Sequence, residues 1–481
     1  MIERKCDSIR PKLVILHQLI RLIVNYYCRR LVIQFNCQII HMKINNSPRF
    51  TLERKLHAVL LMLSTLGILA PAYGQTLKSD WKFEAQRPDI APVSTVDKQV
   101  TFEGKPSLTL KGGGKDHAAG YWYKVVEAEP GSYYQFRTYF KSMNVDEPDR
   151  SVLARVIWQD ASGDVVGFRE YPATLLDKTK DGWRIIEQSY QAPPKTRTAK
   201  LELHYRWDGD GTVHFGETTF QKATAPQPRA VRLATVHHRP RNSKSTEENL
   251  QAFSALVDQA GAQKADIVCL PEGATIVGTH HDYISGSETV PGPTTKYLGD
   301  VARKNNLYII AGLLEKEGDV VYNTAVLIDR NGNLAGKYRK TSLPREEIDG
   351  GVTPGNSFPV FDTDFGRIGI MICWDVTFPE PARALAQQGA EIIFLPIWGG
   401  DITLAKARAI ENQVYLVSST YDMISAVFDL EGEVLKQAKE DKSVVVVDVN
   451  LNEQKLWPWL GDFKNRIPRE MPSRKAIESY K

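Results

Sequence analysis

Two textures of hydrophobic patterning divide the chain. Between residues 76 and about 222, apolar and polar side chains alternate with a period of two, the spacing that sends every second side chain to one face of a strand. Segments 104–110 (GKPSLTL), 120–126 (GYWYKVV), 132–140 (SYYQFRTYF), 152–160, 183–190, 199–207 and 212–220 read as strands. Turn formers separate them: Pro130-Gly131, Ser162-Gly163-Asp164 and Asp208-Gly209-Asp210-Gly211. Short strands so spaced, with no helical stretch among them, predict an all-β sandwich at 75–222. A Pro- and Ala-rich linker, 223–229 (ATAPQPR), then marks a boundary at which the two parts are expected to fold as separate units.

From residue 230 the pattern changes. Apolar runs at 231–238, 265–272, 307–315, 366–375, 390–398, 415–420, 426–432 and 443–450 read as strands, with a hairpin over 323–341. Between them lie helical segments. Ser245-Thr246-Glu247-Glu248 has capping-box spacing, and Leu250, Phe253, Leu256, Val257 and Ala260 fall on one face of the helix that follows. Further helices are expected at 294–305, at 381–388 with Pro381 at its start and Gly389 past its end, and at 404–412. Helices alternating with strands, with hairpins mixed in, predict an α/β fold of two helix-covered sheets, a four-layer αββα sandwich over 230–481.

Composition narrows the class. The 481 residues carry 61 basic and 57 acidic side chains, a net charge of +4, which excludes a strongly basic nucleic-acid binder and an acidic tail. No apolar run after the N-terminal region is long enough to cross a bilayer. The N-terminal region itself reads as an export signal. From Met42, a basic stretch (Lys43, Arg49, Arg54, Lys55) precedes an apolar run at 56–69 and the small residues of Ala72-Tyr73-Gly74, so 42–74 is a signal peptide and cleavage is expected before Gln75. Residues 1–41, with Cys6, Cys28 and Cys37, read as an upstream leader from a start-site error. The exported chain then keeps two cysteines, Cys269 and Cys373.

Three motifs carry chemistry: Leu270-Pro271-Glu272, Tyr338-Arg339-Lys340-Thr341 and Ile372-Cys373-Trp374-Asp375. The first and third close buried strands, where α/β sheets present reactive side chains. A thiol is a strong nucleophile once deprotonated, a carboxylate can take its proton, and an ammonium can receive an oxyanion. Singly, each has a plain structural reading. Cys269, one strand residue earlier, is the example of an inert core thiol.

Together and in this order, the motifs resemble the nitrilase, or carbon–nitrogen hydrolase, superfamily. The resemblance implies Glu272 as general base, Lys340 as the essential lysine and Cys373 as nucleophile, with the Trp374 backbone N–H assisting the oxyanion. It implies a cofactor-free reaction through a thioester and a homodimer or higher oligomer. A second glutamate often precedes a Pro-Gly turn in this family. Thr353-Pro354-Gly355 is such a turn, and of Glu346 and Glu347 the latter is preferred. The segment after Cys373 is similar to the carbamoylputrescine amidase and aliphatic amidase branches, implying a small linear amide or N-carbamoyl substrate. Nitrilases usually carry glutamate where Asp375 stands, which puts amide ahead of nitrile. Trp398 and Tyr421 are the substrate-pocket candidates.

The β-region resembles jelly-roll modules of carbohydrate-binding and galactose-binding-like type, through Trp81, the GKPSL segment and the Trp207 strand. Trp122 or Trp207 either stacks on a sugar or packs in the core, and a sugar-binding protein on a degenerate hydrolase scaffold is the rival reading. No metal is expected: His237-His238 point apart on a strand, and neither they nor His280-His281-Asp282 have zinc spacing. Gly112-Gly113-Gly114-Lys115 lacks the strand and helix of a phosphate loop. His237 or His238 remains a pocket candidate.

The export reading has a direct test. Expressed from Met42 in a bacterial host, the mature protein should begin at or near Gln75. N-terminal sequencing that finds Met42 on a soluble cytoplasmic product would overturn it.

Overall fold

The structure, a computed structural model, describes residues 80–457, 459 and 461–479. The proposed leader and signal segment, with their three cysteines, lie outside these residues. Among the described residues no helix is long and apolar enough to cross a membrane.

Residues 80–223 form two antiparallel sheets of five and six strands. Their inner faces share one apolar core, in which Trp122, Trp158, Leu203 and Tyr205 of one sheet meet Phe136, Phe140 and Phe215 of the other. The strands Val93–Phe102, Val165–Glu170 and Ala173–Lys180 add to those the alternation predicts. Each is interrupted by polar residues or a register shift, so its period of two breaks within a few residues. Two short helical pieces, a 3-10 turn at Pro88–Ile90 and a helix at Pro148–Ser151, correct the expectation of a region without helices; a proline opens each, and three or four residues are too few to show a helical period.

Residues 230–450 build two six-stranded sheets. In the first, Ala230–His237, Ile267–Cys269 and Tyr308–Glu317 run parallel, joined by the helices Thr246–Ala262 and Pro293–Asn305. In the second, Arg367–Ile370, Ile392–Pro396 and Tyr415–Ser419 run parallel, joined through the helices Pro379–Gln387 and Ile402–Asn412. Antiparallel strands flank both triplets. Three apolar layers hold the stack. Phe253, Leu256 and Leu298 bind helices to the first sheet. Leu233, Ile310, Ile370 and Phe394 fill the space between the sheets. Leu385, Ala405 and Leu416 bind helices to the second. The order of layers is thus helix, sheet, sheet, helix. Two hydroxyls stitch the sheets directly, Thr235 Oγ1 donating to the Ser418 carbonyl at 2.7 Å and Ser419 Oγ to the Val236 carbonyl at 2.9 Å.

Two strands are shorter than the apolar runs suggest. The run 265–272 keeps ladder pairing only over Ile267–Cys269, and 366–375 only over Arg367–Ile370. Their ends leave the ladder, and the freed backbone carries Glu272 and Cys373 into the space beyond the parallel strands.

The C-terminal segment does not stay with the α/β part. Gly461–Asp462 packs beside Val165–Glu170, Arg469 Nη2 donates to the Pro172 carbonyl at 2.6 Å, Arg206 Nη2 donates to the Arg469 carbonyl at 2.6 Å, and Asn465 Nδ2 donates to Gln188 Oε1 at 2.6 Å. The tail therefore ties the β-region to the α/β region, beyond what the linker alone provides.

At this tie two buried carboxyls face each other. Burial, with the Asp462 charge adding to it, pushes Glu170 up to about 7, and burial raises Asp462 as well. A carboxyl raised in the folded state contributes stability below its ordinary pKa and loses it as pH rises through the folded value. Glu170→Gln should therefore gain on the wild type as pH rises from 5 to 8, read as a growing difference in Tm. Curves that stay parallel across that range would refute the assignment.

Candidate active site

Four side chains from four different elements converge beyond the strand ends. Glu272 follows Ile267–Cys269, and its loop crosses the next strand so closely that a Cβ on Gly312 would meet the Glu272 Cα at 2.6 Å. Glycine is required there because backbone passes against backbone. Lys340 follows the hairpin strand Leu334–Arg339, its N–H held by the Asn323 carbonyl and its carbonyl by the Gly355 N–H, both at 2.8 Å. Glu347 lies on the short helix Arg345–Asp349. Cys373 opens a helical turn, Cys373–Thr377, at φ +44. A non-glycine residue in that region stores backbone strain, which clusters at functional sites.

The charges meet out of contact with bulk solvent. The Lys340 side chain is 0% exposed, and its Nζ donates to Glu272 Oε1 at 2.8 Å and to Glu347 Oε1 at 2.6 Å. Burial opposes the ammonium charge, but Glu272, the Cys373 sulfur and Glu347 outweigh it and hold the Lys340 pKa above the usual lysine value. Asn323 Nδ2 bridges the same two carboxylates at 2.8 and 2.9 Å. The Trp398 backbone N–H donates to Glu272 Oε2 at 3.0 Å. Burial pushes the Cys373 thiol up to about 12, helped by the Glu272 charge; Lys340 and the Trp398 N–H pull the other way. Burial, and then the Glu272 charge, raise Glu347 against the pull of Lys340, and its Oε2 is buried without a partner.

Of the two glutamates weighed from sequence, Glu347 reaches Lys340 and Glu346 is exposed to solvent. Trp374 is the second residue of its helical turn, where an N–H has no intrahelical acceptor, and its indole is 43% exposed. Trp398 is half-buried and meets Tyr421 edge-on at 5.0 Å. Tyr421 is buried, and its hydroxyl is spent on the Glu272 carbonyl at 2.9 Å; it supports Glu272 from behind rather than facing a pocket. Cys269 is fully buried in the inter-sheet core, which raises its thiol pKa. His238 Nδ1 pairs with Asp441 at 2.8 Å and His237 Nδ1 with Ser425 Oγ at 3.2 Å. In the β-region Trp122 is a core residue whose Nε1 donates to the Thr109 carbonyl, which removes it as a sugar-stacking residue. Trp207 is 43% exposed, with the Arg206 and Arg150 guanidiniums 3.9 and 4.6 Å from its ring centre.

Sequence reasoning missed Asn323 and the part played by Asp375. Asn323 is a buried amide beside Thr324 in a largely apolar strand, and that polar interruption is the signal available. Asp375 is fully buried and accepts from the Ile372 N–H and the Tyr338 hydroxyl on Oδ2, at 2.9 and 2.7 Å, and from the Ser342 N–H and Thr341 hydroxyl on Oδ1, at 2.9 and 3.1 Å. It thus locks the cysteine turn to the lysine loop.

The profile of the carbon–nitrogen hydrolases matches residues 232–458. The omega-amidase of Bos taurus is 32% identical over 266 residues, 49% of this chain and 92% of its own length. A nitrilase of Pyrococcus abyssi is 36% identical over 245 residues, 46% of this chain and 90% of its own. The chain belongs to the carbon–nitrogen hydrolase family. A solved carbon–nitrogen hydrolase from Helicobacter pylori G27 is similar at 22% identity and a TM-score of 0.44, over 52% of this chain and 98% of that one. The profile's match begins after the linker, so the β-region stands outside the part shared with other carbon–nitrogen hydrolases.

Removing the ammonium from this hydrolase would leave two buried carboxylates facing each other. Lys340→Met should cost about 3–5 kcal/mol of stability. The loss should be largest at pH 8 and smaller at pH 5, because the buried Glu347 carboxyl, already raised against the pull of Lys340, takes up a proton more readily once that pull is gone. Urea unfolding at the two pH values checks this, and an equal loss at both would count against an electrostatic origin.

Proposed function

We propose that the protein is an amidase of small linear amides or N-carbamoyl compounds, with Cys373 as nucleophile. The observation that carries the reading is Lys340, sealed from solvent and bonding both Glu272 and Glu347, beside a Cys373 thiol whose pKa the Glu272 charge helps to raise. Glu272 takes the Cys373 proton as sulfur attacks the substrate carbonyl carbon. Two of the three Lys340 donors are engaged by carboxylates, leaving one for the oxyanion, beside the unengaged N–H of Trp374. The tetrahedral intermediate collapses, the carbon–nitrogen bond breaks, and the nitrogen leaves with the proton from Glu272. Water, deprotonated by Glu272, then attacks the thioester and releases the acid and the thiol. The partnerless Glu347 Oε2 is an acceptor suited to a substrate N–H. Glu347 in that position would orient the amide nitrogen toward the proton it receives.

Amide ranks ahead of nitrile because Asp375 stands where nitrilases usually carry glutamate; the relatives themselves include both an omega-amidase and a nitrilase. The reading extends to export after cleavage near Gly74, to a homodimer, and to a β-region of jelly-roll, galactose-binding-like type that contacts carbohydrate, with Trp207 as its remaining exposed tryptophan.

Ammonia release from linear amides, carbamoyl compounds and nitriles is the deciding measurement. Cys373→Ala should lower turnover by about four orders of magnitude or more, as loss of a nucleophile does. Cys269→Ala should leave it within a few-fold. A dead Cys269→Ala beside an active Cys373→Ala would reverse the assignment, and release from nitriles alone would replace amidase by nitrilase.

A further inference from the structure

The five-stranded sheet of the β-region carries a cavity of about 260 Å³ on the face turned away from the apolar core. In the strand Thr198–Arg206, Leu201, Leu203 and Tyr205 enter the core, so Glu202, His204 and Arg206 take the other face. In the ladder His204 lies between Leu153 and Tyr121, Glu202 between Arg155 and Tyr123, and Arg206 beside Ala119. The cavity wall takes Arg155, His204, Arg206 and the exposed Gln86, over apolar Leu153 and Ile90, and no acidic side chain among the described residues lines it.

Two polar atoms on this wall lack partners among the described residues and are not sealed from solvent. The first is on His204. Its Nε2 lies 2.8 Å from Glu202 Oε2. Against burial, His204, Arg155 and Lys200 hold the Glu202 pKa down to about 2, and burial lowers His204 to about 4, so at neutral pH a carboxylate faces a neutral imidazole. A lone pair on Nε2 would oppose that carboxylate, so Nε2 carries the proton and Nδ1 is an acceptor. Arg155 Nε, 3.1 Å from the same nitrogen, is spent on Glu202 Oε2 at 2.7 Å. Nδ1 has no partner and stays accessible.

The second is on Arg206. Its Nε and Nη2 donate to the carbonyls of Arg150 and Arg469, at 3.2 and 2.6 Å, which leaves Nη1 unbonded and accessible. Burial lowers its pKa to about 10, so it is a cation at neutral pH. The carboxylate that attracts it, Glu470, is bonded to Arg466 at 2.7 Å, while Arg150 and Arg469 repel it. The Trp207 ring that stacks on this guanidinium stands at φ +61, a strained position for a tryptophan and one that clusters at ligand sites. A desolvated guanidinium bonded only to carbonyls calls for an anion. The His204 acceptor calls for a donor, and the apolar floor for C–H surface.

We propose that this cavity binds a uronate, a sugar ring bearing a carboxylate. The carboxylate accepts from Arg206 Nη1, a ring hydroxyl donates to His204 Nδ1, and the C–H face of the ring covers Leu153 and Ile90. Alternate residues on one face of a strand stand about 7 Å apart, the span of a pyranose from its carboxylate to a hydroxyl across the ring. The inference rests on the carbohydrate reading of the β-region and adds to it the charge of the sugar and the place where it binds.

Calorimetric titration of the full-length protein with glucuronate, glucose and acetate at constant ionic strength separates these demands. Glucuronate should bind saturably at one site per chain, and glucose and acetate each at least tenfold more weakly. Arg206→Gln, with Tm showing that it is folded, should bring glucuronate to the level of glucose. Gln86→Glu, on the exposed rim where no buried contact is lost, should weaken glucuronate at least fivefold by repulsion. Glucose binding as tightly as glucuronate would overturn the acidic ligand and leave the carbohydrate reading standing. Acetate binding as tightly would overturn the sugar. Binding of none of the three would overturn both the site and the carbohydrate reading, and unchanged glucuronate affinity in the two variants would overturn the site.

Discussion

A fully buried ammonium between two carboxylates is the constraint around which the α/β part is arranged. Lys340 has no solvent to fall back on, so its partners must be present and placed to within hydrogen-bond distance. Those partners come from separate elements: a strand-end loop brings Glu272, a short helix brings Glu347, and Asn323 in a neighbouring strand bonds both. Replacing such a cluster by apolar side chains of similar volume would be neutral or stabilising in many proteins. Its presence is therefore better explained by what it does for the adjacent thiol than by what it does for the fold. With the thiol pKa pushed up to about 12, sulfur is protonated at rest, and its reactivity depends on the carboxylate that Lys340 holds in place.

Much of this was legible in the chain. The strands of the parallel triplets are continuous apolar runs, and the Glu and Cys motifs each sit where such a run stops, whereas the Lys motif closes the hairpin strand Leu334–Arg339. What the pattern could not show is where a ladder ends. Apolarity continues through Leu270 and Ile372, because both pack in the core after pairing has ceased. Buried polar residues were the other blind spot. Asn323 and Asp375 look like minor interruptions of apolar segments, and their partners lie far away in sequence. Tyr421 shows the converse: its proximity to the site was readable, but not that its hydroxyl faces backward onto a carbonyl. The tail was illegible for a different reason. Residues 461–479 have no periodic pattern, and they are held by bonds to backbone carbonyls and side-chain amides of the β-region rather than by an apolar face.

The strained turn at Cys373 shows how the two ends of the molecule are joined. A residue at φ +44 persists only where surrounding contacts over-determine it. Asp375 supplies one set, taking four donors from the turn and the lysine loop. Arg408 supplies the other, its guanidinium donating to the carbonyls of Val376 at 3.2 Å and Thr377 at 3.3 Å. Arg408 is in turn held through its own carbonyl by Asn412, one turn further along the same helix. The cysteine turn is thus clamped between a buried carboxylate on the side of the lysine loop and a buried guanidinium on the side of the helices. The second clamp ends at the wall of a cavity where the β-region, the tail and the α/β part meet. The backbone that presents Cys373 is consequently braced by the same helix that lines the junction between the two regions.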